Sequence, residues 1–121
     1  MNVALWAGVL GIGGLGAVAR FMVDRAVSRR TKGSFPYGTL VVNISGAVLL
    51  GFLSGLVLRH EVAMLAGTAF LGAYTTFSTW MLETQRLTDE RQIWPAVANI
   101  VVSVVLGLSA AAAGQWVASL L

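Results

Sequence analysis

The sequence predicts an all-α membrane protein with four transmembrane helices, the third of them broken. Three observations carry this expectation. Of 121 residues, 57% are hydrophobic and 11% charged, with mean hydropathy +0.81, which leaves too little polar surface for a soluble monomer. Charge is absent from residues 1–19, 33–58, 62–82 and 92–121, and about 20 helical residues cross a ~30 Å hydrocarbon core. The third of these stretches is interrupted by a glycine-led run of hydroxyl residues. Four spans consume almost the whole chain, so residues 1–121 are read as one domain that works within the bilayer.

Span 1, residues 3–23, contains Gly8, Gly11, Gly13, Gly14 and Gly16, a density that weakens a helix in water and permits close contact in lipid. It lacks a basic leader and further hydrophobic spans follow it, so it is read as a membrane helix rather than a signal peptide. The link SRRTKGSFPYG, residues 28–38, carries basic residues and Pro36, which suits the start of a helix. Span 2, residues 38–58, pairs Gly51 with Gly55 as small-xxx-small and places Asn43, Ala47, Leu50 and Ser54 on one face.

Span 3, residues 62–82, contains GAYTTFSTW at 72–80. Polar β-branched residues at mid-membrane build a poor helix, and non-helical backbone is tolerated there only when shielded by protein or lining a cavity. A break is expected over 72–76. Span 4 begins at Ile93 with Pro95 in its first turn, and Gly107, Ala110, Ala111 and Gly114 form a smooth stripe.

Composition excludes several chemistries. There is no cysteine and a single histidine, His60, in a polar link, so disulfides, thiolate metal sites and a Ser-His-Asp triad are ruled out; an enzyme is not expected. The formal charge of +3 and pI near 10.2 imply only contact with anionic lipid or an anionic ligand, and nothing points to nucleic acid. All five acids, Asp24, Glu61, Glu83, Asp89 and Glu90, lie at span ends or links, whereas proton-coupled exchange needs a titratable group at depth.

The polar groups left at depth are neutral: Asn43, then Thr75, Thr76, Ser78 and Thr79, then Asn99 and Ser103 one turn apart. Amide and hydroxyl donors of this kind can replace the hydration shell of a small anion and still release it. Phe77 and Trp80, three residues apart, could turn their positive ring edges toward that ion. Each has a packing reading as well: Asn43 as a pin between helices, Phe77 and Trp80 as packing or interfacial residues, Asn99 and Ser103 as interhelical glue, and Arg20 as a snorkelling residue or a partner of Asp24.

The motifs GTLVVNISG at 38–46 and GAYTTFSTW at 72–80, with the Gly-rich first span ending in Ala19-Arg20, resemble the fluoride channels of the Fluc (CrcB) family over nearly the whole chain. The resemblance implies an antiparallel dual-topology homodimer in the cell (inner) membrane, with two fluoride pathways and one structural Na⁺ at its centre. It makes Asn43 the pore amide and Phe77 the first of the paired aromatics, with Trp80 where many members carry a second Phe. Backbone carbonyls of Gly72 and Thr75 become Na⁺ ligands, Thr76 and Thr79 flank the path, Asn99 and Ser103 belong to a polar track, and Arg20 is similar to the arginine closing the family's first span. Gly107 stands where that track would call for a hydroxyl or amide.

One feature pulls the other way. Arg25, Arg29, Arg30, Lys32, Arg86 and Arg91 lie on one side and Arg59 alone on the other, a bias that favours a single orientation and leaves a heterodimer with an oppositely oriented sister subunit as the alternative to a homodimer. A small multidrug exporter would match the size, but that class needs a carboxylate in span 1 and residues 3–19 have none. An assembly subunit would explain the glycine stripes and not the TTFST run.

Overall fold

The computed structural model describes residues 2–121, and among them it is helical throughout, with no strand. Helix α1 (Val3–Arg30) is capped by the Asn2 side chain, which accepts from Leu5 N at 2.8 Å, and closes on Arg29 and Arg30, whose charges suit a helix C-terminus. It continues well past residue 23, so the basic segment that the sequence assigned to a link is partly helix. Gly33, at φ +89°, reverses the chain after it, a conformation open to glycine. Helix α2 (Tyr37–Ser54) starts directly after Pro36 and stops at Gly55, short of the expected 58.

Residues 60–74 form one rod: α3 (His60–Ala63), a π-helical segment (Met64–Leu71) and α4 (Gly72–Tyr74). The wider i→i+5 turns of the middle segment are a departure that the sequence does not announce. Helix α5 (Ser78–Asp89) and the long α6 (Ile93–Ser119) follow. Between α4 and α5, Thr75 is extended (φ −79°, ψ 162°) and residues 75–77 are not helical. The interruption therefore falls at 75–77, whereas the sequence placed it at 72–76; residues 72–74 remain helical. Three helices, α1, α2 and α6, are long and apolar enough to cross a membrane. The pieces between 60 and 89 are each shorter.

Packing follows the small residues. Helices α2 and α6 lie side by side along most of their length. Gly51 faces the Ala111 carbonyl and Gly114 faces the Val48 carbonyl so closely that a Cβ at either position would run into backbone. Helix α1 packs on the π-helical segment, α2 and α4, with Gly16 against Phe70. A small core of Val42, Leu71 and Tyr74 sits where α1, α2 and α4 meet, flanked by Ala19, Val23, Leu53 and Phe70. Large apolar side chains such as Leu10, Phe21, Val105 and Leu108 point outward, as hydrocarbon surroundings require. At one end, Arg86 Nη2 donates to Ser34 O at 2.9 Å and Ser34 bonds the Gln92 side chain, so the first link and the α5–α6 turn share one side of the bundle.

Candidate functional site

The site is built on the interruption at 75–77. Thr75 ends α4 by spending its own hydroxyl on Leu71 O at 3.0 Å, the same carbonyl that its N–H reaches at 3.0 Å, a back-bond that competes with helix continuation. Thr76 is then held from the side. Asn43, on α2, donates from Nδ2 to Thr76 O at 2.9 Å and accepts from Thr76 N at 2.8 Å. The two bonds satisfy the main-chain donor and acceptor of the residue at the centre of the interruption, groups that apolar surroundings could not otherwise satisfy. One Asn43 amide hydrogen is left over.

The same threonine starts the next helix. Thr76 Oγ1 accepts from Thr79 N at 3.2 Å, in the manner of an N-cap. Thr76 and Thr79 line a cavity of about 230 Å³ together with Arg20, Phe21, Asp24 and Thr39. Ala17, Phe21 and Val42 supply its apolar wall, Thr39, Thr76 and Thr79 its hydroxyls, and Arg20 and Asp24 of α1 one charge of each sign. Arg20 Nε is buried there without a partner, and the ion pairs among the described residues do not join Arg20 to Asp24. The side chain therefore neither pairs with Asp24 nor has its polar edge fully solvated.

Phe77 and Trp80 meet edge to face, with ring centroids 5.8 Å apart at 78°. Phe77 is 70% exposed on the single chain. Trp80 is turned the other way, its indole N–H donating to Asn99 O at 3.0 Å. Asn99 is buried, and Ser103, one turn on, is half-buried. Gly72 and Thr75 lie apart from the cavity, along a mostly apolar groove with Leu50, Gly67 and Thr68. The helical partner of the Gly72 carbonyl would be Thr76 N–H, which goes to Asn43 instead, so that carbonyl is released at an exposed position. The structure thus brings Arg20, Thr76 and Thr79 together, clips Asn43 to the Thr76 main chain, sets Trp80 against Asn99 and Phe77, and leaves Gly72 and Thr75 along a separate groove.

Two residues at this site escaped the sequence. Thr39, 2% exposed, turns its hydroxyl toward Glu83, whose Oε1 is buried; Asp24 and Arg86 also neighbour that carboxylate. Thr39 reads as one more β-branched residue of a span, and Glu83 is one residue outside a charge-free stretch. The available signal was helical spacing, since Thr39 precedes Asn43 by four residues and Glu83 follows Thr79 by four. Among the described residues no group of three or more His, Asp or Glu side chains could hold a metal ion.

Three apolar crossings around a small cavity lined by hydroxyls, one guanidinium and one carboxylate define a multi-pass membrane protein. The chain belongs to the CrcB-like protein (camphor resistance) family, which it matches over residues 7–115. It is 66% identical over 120 residues to the fluoride-specific ion channel FluC 2 of Mycobacterium tuberculosis, covering 99% of this chain and 95% of that one. Identity is 68% over 119 residues to FluC 2 of Mycolicibacterium paratuberculosis, covering 98% of both. With the fluoride-specific ion channel FluC of Methylococcus capsulatus it is 43% over 128 residues, all of this chain and 53% of that one.

Proposed function

We propose that this protein is a fluoride-selective channel of the cell (inner) membrane that lets fluoride leave the cytoplasm down its electrochemical gradient, consuming neither ATP nor a coupling ion. The observation that carries this is the interruption and the cavity beside it: Asn43 clipped to the Thr76 main chain, neutral donors at Thr76 and Thr79, and a buried Arg20 Nε–H sharing that cavity with the Asp24 carboxylate. Relatives at 66–68% identity bear the name of fluoride-specific channels. Fluoride's tight hydration has to be replaced by fixed donors, which also disfavours larger anions.

In this reading residues 60–89 make the remaining crossing, interrupted at mid-membrane. Arg20 draws anions into a vestibule; Asn43 offers its spare N–H; Thr76 and Thr79 flank the path; the edges of Phe77 and Trp80 face it; and Asn99 and Ser103 continue its wall on α6. The exposed Phe77 and the separation of these faces support a path completed by a second, oppositely oriented copy. The released Gly72 carbonyl, with that of Thr75, fits a structural Na⁺ between the copies, where the cation would neutralise convergent carbonyl dipoles.

The direct biological test is growth. A bacterial strain stripped of its own fluoride export, given this gene, is expected to grow in fluoride concentrations that stop the parent and to hold less intracellular fluoride. Equal sensitivity with the protein present in the membrane would refute the proposal.

A further inference from the structure

Trp80, Thr84 and Asn99 form a closed polar ring between α5 and α6 for which an anion path alone gives no reason. Trp80 Nε1–H donates to the main-chain carbonyl of Asn99 at 3.0 Å. Thr84 Oγ1 donates to the Trp80 carbonyl at 2.9 Å. Asn99 Nδ2 donates to Thr84 Oγ1 at 2.9 Å and lies 3.4 Å from the Trp80 carbonyl.

Proton counting fixes the sense of the ring. A hydroxyl has one proton, and that of Thr84 goes to a carbonyl, which can only accept. Thr84 Oγ1 is therefore the acceptor toward Asn99, and the Asn99 atom facing it has to be the NH₂ group. This leaves Asn99 Oδ1 as the free end of the amide, and it is buried without a partner in a residue 1% exposed. An amide oxygen is an acceptor only and repels an anion. Asn99 is thus badly suited to touch fluoride and well placed to hold Trp80.

We infer that Asn99 and Thr84 are positioning residues: they fix the Trp80 indole in one orientation, keep its N–H away from the ion, and so present only C–H edges beside Phe77. The inference rests on the channel reading above and assigns Asn99 a part in the wall that works through Trp80. Its chemical logic is that conduction needs binding weak enough to release the ion. An indole N–H free to reach fluoride would add a strong donor to the path. The Asn99 carbonyl occupies that donor, and the T-shaped contact with Phe77 (5.8 Å, 78°) fixes the tilt between the two rings.

The test uses full-length protein with ¹⁵N-labelled indoles in detergent micelles, with Trp80→Phe identifying the Trp80 signal among the four tryptophans. The Trp80 Nε1–H resonance is expected to stay in place as fluoride is added and to exchange slowly with solvent. Thr84→Val, equal in shape and without the hydroxyl, is expected to move that resonance, speed its exchange and slow fluoride efflux from vesicles at least fivefold. Thr84→Ser is expected to restore all three. A Trp80 N–H signal that shifts with fluoride in the unmodified protein would overturn the inference, as would Thr84→Val matching the unmodified protein in both signal and efflux. Absence of any fluoride efflux from the unmodified protein would instead refute the channel reading, because the response of the indole signal to Thr84→Val still reports the ring in the folded chain.

Discussion

Asn43 joins a fold requirement to the transport role proposed for it. Its amide satisfies both main-chain groups of Thr76, and each such group stranded in apolar surroundings costs about 1–3 kcal/mol. Asn43→Asp keeps an acceptor for Thr76 N–H, loses the donor to Thr76 O, and adds a negative charge beside an anion path. Repulsion between unit charges at ~4 Å reaches about 4 kcal/mol at an effective dielectric near 20. Fluoride efflux is expected to fall at least tenfold, on the order of what a small part of that repulsion would give, and an unchanged rate in the Asn43→Asp protein would remove this side chain from the path. Thr76→Val deletes the hydroxyl that accepts from Thr79 N; loss of such a cap costs about 1 kcal/mol, seen as a lower melting temperature that Thr76→Ser restores. The sequence identified the polar residue types at depth because few exist. It did not reveal that Asn43 reaches Thr76 or that Trp80 reaches Asn99, since those contacts span 33 and 19 residues and arise only when helices meet.

Among the elements, the glycine stripes are the most legible. Gly51 and the Gly107–Gly114 face of the last span suggest close helix contact from spacing alone, and α2 and α6 do approach through Gly51 and Gly114. Within one stripe the positions differ sharply. A Cβ at Gly114 would collide with Val48 backbone, while one at Gly107 meets only Ile44 Cδ1 at 4.0 Å. Gly114→Val and Gly51→Val are therefore expected to prevent stable folding in detergent, read as loss of the size-exclusion peak, whereas Gly107→Ala should melt within a few degrees of the unmodified protein. A folded Gly114→Val protein would show that the close α2–α6 approach is dispensable. The π-helical segment stayed invisible because MLAGTAFL is apolar almost throughout and carries no periodicity to read, and the hydrogen-bond register is not encoded by hydrophobicity.

At the level of the whole molecule, charge and symmetry make opposing demands. The first link and the α5–α6 turn occupy one end, joined through Arg86, Ser34 and Gln92, so the basic residues gather there and favour one orientation. A dual-topology homodimer requires insertion both ways. Membrane-impermeant labelling of single cysteines placed at residue 33 and at residue 57 is expected to mark both positions from each side of the membrane. Labelling of one position alone from a given side would exclude that homodimer and direct attention to an oppositely inserted sister chain. If the proposed Na⁺ bridges two copies through the Gly72 and Thr75 carbonyls, replacing Na⁺ with a large organic cation during purification is expected to shift the protein from dimer to monomer by light scattering; an unchanged dimer would remove Na⁺ from the interface.

The most direct measurement is made on purified protein in vesicles loaded with fluoride or with chloride, read by ion-selective electrodes after an ionophore has collapsed the membrane potential. Rapid fluoride release with chloride retained at the level of protein-free vesicles is the expected result. Fluoride retained as in protein-free vesicles, or chloride released as fast as fluoride, would contradict a path in which neutral donors stand in for the water around fluoride.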